Sequence, residues 1–83
     1  MDILRVKQRA ATFIAGKNLA FPVKVQLLDV GMNVVLETEA TEDENGVCLF
    51  STTSPGSGTT LAAPGPFTLR FTDADGRAFL ENL

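Results

Sequence analysis

Short runs in which apolar and polar residues alternate one by one, separated by turn residues, constrain the fold of this chain most strongly. Such alternation indicates a half-buried β-strand, because successive side chains of a strand point to opposite faces of a sheet. Residues 21–28, 33–41 and 67–72 show it, and a shorter run at residues 77–83 closes the chain. The apolar positions of these and the neighbouring run predict the core: Val23, Val25, Leu27, Val34, Leu36, Leu49, Phe67, Leu69, Phe71 and Phe79.

The connections between these runs carry turn signals. Asn45-Gly46 predicts a type I′ hairpin turn, which leads into a strand at residues 47–52 that is apolar on both sides and is therefore expected at the centre of a sheet. Asp73-Ala74-Asp75-Gly76 begins like a calcium loop, but the acidic ligand that should follow is missing, so the pattern favours a plain turn. Residues 53–66, rich in Ser, Thr, Gly and Pro, predict one long loop.

The N-terminal arm, residues 1–20, fits two structures. Ile3, Val6, Ala10 and Ile14 follow a helical stripe, which Gly16 could end. Strand-like alternation with basic residues runs through the same segment, and the rest of the chain reads as a sheet that needs partners. We therefore expect a strand here and keep a short helix as the alternative.

Length and residue types exclude several classes of function. The 83 residues allow a single domain, 1–83, without a second catalytic lobe. The chain has one cysteine, Cys48, and no histidine, so an internal disulfide, the usual zinc sites and His-based catalysis are ruled out. We predict a protein that is not an enzyme and that has no cofactor, metal site or catalytic residue, with Cys48 as a small buried apolar residue.

Charge is unevenly distributed along the chain. Residues 1–30 carry five basic and two acidic side chains, a net charge of +3, whereas residues 31–83 carry two basic and eight acidic ones, a net charge of -6. The acidic total gives no electrostatic basis for binding nucleic acid or an anionic membrane. Basic residues interrupt the N-terminal apolar positions, so we expect no signal peptide and synthesis in the cytoplasm.

The second half of the chain resembles a known group of domains. The segments 41–50 and 64–71, followed by Asp75-Gly76, are similar to the turn, the aromatic strand and the Pro-Gly element of carboxypeptidase-regulatory-like and transthyretin-like modules. The resemblance extends over about residues 21–80. It implies an all-β fold: a small antiparallel immunoglobulin-like or transthyretin-like β-sandwich of about six or seven strands.

Two functions are expected on this basis. The first is a structural module that acts by protein–protein assembly with a scaffold or with copies of itself, by analogy a small virion component of a bacteriophage, such as a capsid decoration or tail protein. The alternative is a ligand-binding module that recognises a protein or carbohydrate surface through its end loops. The candidate partner contacts lie in the basic arm and the long loop: Arg5, Lys7, Arg9, Ser57, Thr59 and Thr60.

Overall fold

A computed structural model of the chain describes residues 3–50 and 65–83, with the side chains of residues 3 and 4 left out. The elements are α1 (Ile3–Lys17), β1 (Val23–Leu28), β2 (Val34–Glu42), β3 (Cys48–Phe50), β4 (Thr68–Thr72) and β5 (Ala78–Asn82). The strands form one antiparallel sheet in the order β3-β2-β1-β4-β5. The prediction of a mainly β, antiparallel fold is confirmed, whereas the second sheet of a sandwich and the count of six or seven strands are not.

Residues 3–17 of the N-terminal arm form a helix, so the favoured strand prediction was wrong and the alternative is correct. Val6, Ala10 and Ile14 recur every four residues and are at most 4% exposed, which places one apolar stripe of α1 against the sheet. The helix continues past Gly16 to Lys17, and the residue that follows it, Asn18, has a φ of 53°. The N–H groups of Asn18 and Leu19 donate to the carbonyls of Ala15 and Ile14, a Schellman motif that caps the last turn.

The core lies between α1 and one face of the sheet. Phe71 of β4 is fully buried and stacks on Phe13 of α1 with ring centroids 4.3 Å apart. Phe79 lies opposite Phe71 on β5 and meets the Phe13 ring edge-on at 6.2 Å. Six predicted core residues are buried and two are partly buried: Val23, Val25, Leu27, Phe67, Leu69 and Phe71, then Leu36 and Phe79. The fold of the described residues is therefore a two-layer arrangement of one helix on one sheet.

Two residues predicted for the core are exposed. Val34 is 47% exposed because the pairing of β1 with β2 shifts register between Leu27 and Leu28, which displaces the start of β2 from the pattern followed by Leu36. Leu49 is 48% exposed because β3 is an edge strand of the described sheet, rather than the predicted central one. Its neighbours in β3, Cys48 and Phe50, pack against the core instead.

Three turns, at residues 29–33, 43–47 and 73–77, share one geometry. Each begins with an aspartate whose Oδ1 accepts the N–H groups two and four positions later, at 2.9–3.1 Å. The fourth residue of each turn donates its N–H to the aspartate carbonyl at 3.0 Å and has a positive φ. In the second turn only Gly46 has a positive φ, of 79°, so the predicted type I′ turn, which needs two such residues, was wrong.

We expect alanine substitutions at two glycines to change stability in opposite directions. Gly46→Ala should lower the free energy of unfolding by about 1–2 kcal/mol, because a Cβ is strained at positive φ. Gly16→Ala should raise it by about 0.5–1 kcal/mol, because Gly16 lies in α1 with open space around the position of a Cβ. Urea unfolding of both variants checks the pair, and a stabilised Gly46→Ala variant would contradict the turn geometry.

Among the described residues, one buried side-chain oxygen of the core has no hydrogen-bond partner. The hydroxyl of Thr38, on the helix-facing side of β2, is buried and has no hydrogen-bond partner within residues 3–50 and 65–83. It adjoins a small apolar cavity beneath α1 that is also lined by Leu36 and Phe50. An unsatisfied buried hydroxyl destabilises the folded state because its hydration is lost without replacement.

Thr38→Val should therefore raise the free energy of unfolding by about 1 kcal/mol, since valine has the same shape without the hydroxyl. Thr41→Val, on the opposite, exposed side of β2, is the matched control and should change stability by less than about 0.5 kcal/mol. Chemical unfolding measures both. A loss of stability in Thr38→Val would show that the hydroxyl is hydrogen-bonded after all.

Candidate interaction surface

The sheet face that points away from α1, here called the outer face, presents its side chains to solvent over most of its area. Alternation along the strands assigns to it Lys24, Gln26, Val35, Glu37, Glu39, Thr41, Leu49, Thr68, Arg70, Thr72, Ala78, Leu80 and Asn82. Of these, Gln26, Thr68, Arg70 and Thr72 are half-buried and the others are exposed. Leu28, the last residue of β1, is the exception: it is fully buried but does not belong to the helix-facing core.

A polar network crosses the middle of the outer face. Gln26 of β1 lies directly opposite Glu37 of β2 and Arg70 of β4. Its amide Nε2 donates to Glu37 Oε2 at 3.3 Å, and its Oε1 accepts from Arg70 Nε at 2.7 Å. Lys24 Nζ lies 3.8 Å from the Glu37 carboxylate. The network fixes side chains of opposite charge on either side of one amide, so this part of the surface has a defined polar pattern.

Apolar side chains flank that network towards both edges of the sheet. Leu49 on β3 and Leu80 on β5 are 48% and 58% exposed, and Val35 on β2 is exposed as well. Exposed aliphatic residues that occur singly are common, but here they lie on the same sheet face as an ordered polar network. Such a mixture of apolar and fixed polar groups is suited to contact with another protein.

Arg5, Lys7 and Arg9 do not share one face, as the expected strand would place them, because alternate positions of a helix point in different directions. Arg5 and Arg9 line a surface groove of about 430 Å³ together with Leu83, whereas Lys7 lies on another flank of α1, beside the small cavity. Arg9 donates to Glu81 of β5 at 3.0 Å. The attraction between the basic and acidic halves of the chain is thus partly satisfied within one molecule.

The remaining candidate contacts, Ser57, Thr59 and Thr60, lie outside the described residues, as does nearly all of the predicted loop at 53–66. Those contacts stay predictions.

Asp73, the first acid of the calcium-like sequence, is engaged in structural hydrogen bonds. Its side chain is inaccessible to solvent, and Oδ1 accepts the N–H groups of Asp75 and Arg77. Oδ2 accepts the Ala20 N–H at 3.3 Å and the Arg77 guanidinium at 2.8–2.9 Å. These donors use the acceptor capacity of the carboxylate, so it has none left for a cation. The residue instead ties the turn after β4 to the segment between α1 and β1.

The electrostatic balance at Asp73 favours the charged form. Burial alone would raise the pKa of Asp73, but the hydrogen bonds from Arg77 and Ala20 and the charge of Arg77 outweigh burial and hold the pKa below its usual value. The carboxylate is therefore ionised at neutral pH.

Cys48 is half-buried on the core side of β3, and burial raises the pKa of its thiol. A protonated, partly buried thiol behaves as a small apolar group rather than as a nucleophile. Across residues 3–50 and 65–83, no three cysteine or acidic side chains come together as a metal site would require. The helix that the structure describes is too short and too polar to cross a membrane.

The alternation in residues 21–28 puts Lys24 and Gln26 on the polar side of the predicted strand but does not reveal the network. The missing information was the strand order, because Gln26 and Arg70 are 44 positions apart and meet only when β4 pairs with β1. Comparison with known proteins gives no match to a family model, to a curated protein or to a solved structure. The resemblance to transthyretin-like modules accordingly stays a prediction.

Proposed function

We propose that this chain is a non-enzymatic structural module that acts by protein–protein assembly, with a protein scaffold or copies of itself as partners. One observation carries the proposal. Helix α1 covers a single face of the sheet, while the outer face exposes Leu49 and Leu80 towards its two edges, beside the Gln26 network.

Association through this surface would bury the exposed leucines at low entropic cost. Burial of apolar area drives association at roughly 25 cal/mol per Å² before the costs of ordering are subtracted. The Gln26, Glu37 and Arg70 side chains already hold one another in place across three strands. Less side-chain freedom is therefore lost when a partner contacts them.

The proposal includes a specific architecture and a biological setting. A small immunoglobulin-like or transthyretin-like sandwich is the architecture implied by the sequence resemblance, and a bacteriophage virion is the setting implied by analogy. The alternative, a ligand-binding module, depends on end loops. Most of the longest of these loops, residues 53–64, lies outside the residues that the structure describes. The exposed leucines and the ordered polar network of the outer face favour assembly as the first candidate.

Site-specific photocrosslinking in the native cells tests the proposal. A photoreactive phenylalanine analogue is placed at Glu39 or Ala78, which are exposed on the outer face, and at Gln8 or Lys17 on the exposed side of α1 as matched controls. We expect covalent adducts with protein, identified by mass spectrometry, from the outer-face positions in clear excess over the helix positions. Single-residue substitution tests the surface better than truncation of residues 1–9, because the truncation would remove Val6 from the core.

Two results would contradict assembly through this face. One is equal crosslinking from the outer-face and helix positions, and the other is an absence of protein adducts from Glu39 and Ala78 together with monomeric behaviour in a native extract.

A further inference from the structure

The backbone of β5 directs half of its hydrogen-bonding groups away from the sheet. Within the described sheet β5 is an edge strand, paired with β4 alone. The Arg77 carbonyl accepts from Asp73, and the Leu83 N–H donates to Phe67, so the odd-numbered residues bond towards β4. In an antiparallel ladder the even-numbered residues, Ala78, Leu80 and Asn82, then point their N–H and C=O groups outwards.

The sequence of this edge is complementary to itself when read antiparallel. Around Phe79, a basic residue and a small apolar one precede, and a large apolar and an acidic one follow: Arg77, Ala78, Phe79, Leu80, Glu81. In a two-fold pairing centred on Phe79, Arg77 lies opposite Glu81, and Ala78 opposite Leu80. The outward-pointing backbone groups of Ala78 and Leu80 meet in this register, so one arrangement satisfies both the ladder and the charges.

The existing ion pairs extend this complementarity. Arg77 holds Asp73 at 2.8 Å, and Arg9 holds Glu81 at 3.0 Å, all within one chain. When Glu81 lies beside Arg77 of a second copy, the charges run in alternating sign from Arg9 through Glu81 to that copy's Arg77 and Asp73. The two-fold axis produces this row twice, and each charge in it lies next to a charge of opposite sign. The other edge strand, β3, has no charged residue within its three described positions.

We infer that β5 pairs with β5 of a second copy, antiparallel about a two-fold axis at Phe79, to join the two described five-stranded sheets into one continuous sheet. This inference rests on the proposed assembly function and names the surface and the partner. It also gives the half-exposed Leu80 an apolar neighbour, Ala78 of the other copy. Five-residue strands bury little area, so the dimer should be weak, with a dissociation constant in the micromolar to millimolar range.

Charge reversal provides a test that reports the register. Arg77→Glu alone and Glu81→Arg alone each place like charges opposite each other twice in a homodimer. We expect each to weaken dimerisation at least about tenfold in sedimentation equilibrium. An equimolar mixture of the two variants restores opposite charges at both positions, so a one-to-one heterodimer of near-native affinity should form. Circular dichroism of each variant establishes that the fold is retained.

A second pair of variants keeps the inference testable if Arg77→Glu, which loses its contact with Asp73, does not fold. Leu80→Lys introduces a charge at the proposed contact, whereas Leu49→Lys introduces the same charge at a similarly exposed leucine on the other edge strand. We expect Leu80→Lys to be monomeric and Leu49→Lys to dimerise like the unmodified chain.

Three results would overturn the inference: an unmodified chain that stays monomeric at about 1 mM, a dimer unaffected by Leu80→Lys, and a dimer lost in Leu49→Lys instead. A monomeric chain that still forms outer-face crosslinks to other proteins would overturn the β5 pairing but leave the proposed function standing. If those crosslinks are absent but a charge-dependent dimer forms, the chain assembles only with copies of itself.

Discussion

Replacement of Phe71 by alanine is expected to lower the free energy of unfolding by about 3–5 kcal/mol, which is most of the stability of so small a domain. Phe71 is fully buried, stacks on Phe13 of the helix and lies opposite Phe79 on the neighbouring strand. The substitution would leave a cavity where the helix rests on the sheet. Urea unfolding monitored by circular dichroism provides the measurement.

Val34→Ala is the matched control, because alternation assigned both positions to the core and the structure exposes Val34 by 47%. We expect Val34→Ala to lower the free energy of unfolding by less than about 1 kcal/mol. If Val34→Ala lowered the free energy of unfolding by much and Phe71→Ala by little, Val34 would face the core and Phe71 the solvent. That result would contradict the helix-on-sheet arrangement.

The strands were predictable because alternation is a local property, whereas the layer that covers them was not. Val23, Val25 and Leu27 share a face in any sheet, and they are buried as expected. The segment containing Val6 fits both helical and strand spacing, so its own residues did not decide between them. The tertiary structure favours the helix, which buries Val6 with Ala10 and Ile14 in a single stripe.

The errors in the predicted core have a common cause in features that depend on strand pairing. Val34 is displaced because the register shifts after Leu27, and Leu49 is exposed because β3 lies at the edge of the described sheet. The Gln26–Arg70 contact likewise exists only because β4 pairs with β1. The turn signals indicate that β2 pairs with β3 and β4 with β5, but nothing in the spacing indicates that β4 pairs with β1, so the candidate surface could not be assembled from the sequence.

Asp73→Asn is expected to destabilise the protein most among equivalent substitutions of the three turn aspartates. The amide would remove the charge that holds the Arg77 guanidinium and would weaken the link to Ala20, at a site inaccessible to solvent. Asp43→Asn is the matched control, since Asp43 makes the same two turn hydrogen bonds but no ion pair within the described residues. Thermal unfolding at neutral pH should show a clearly larger fall in melting temperature for Asp73→Asn.

The same carboxylate should make stability depend on pH in the acid range. Because its pKa in the folded state is lowered, Asp73 stabilises the fold fully above its unfolded value near 3.8, and this contribution is lost as the pH falls through the folded value. The difference in melting temperature between the unmodified chain and Asp73→Asn should therefore be constant near neutral pH and shrink below about pH 4. A difference that persists unchanged down to pH 2 would show that the ionised form of Asp73 is not what holds the turn to the segment after α1.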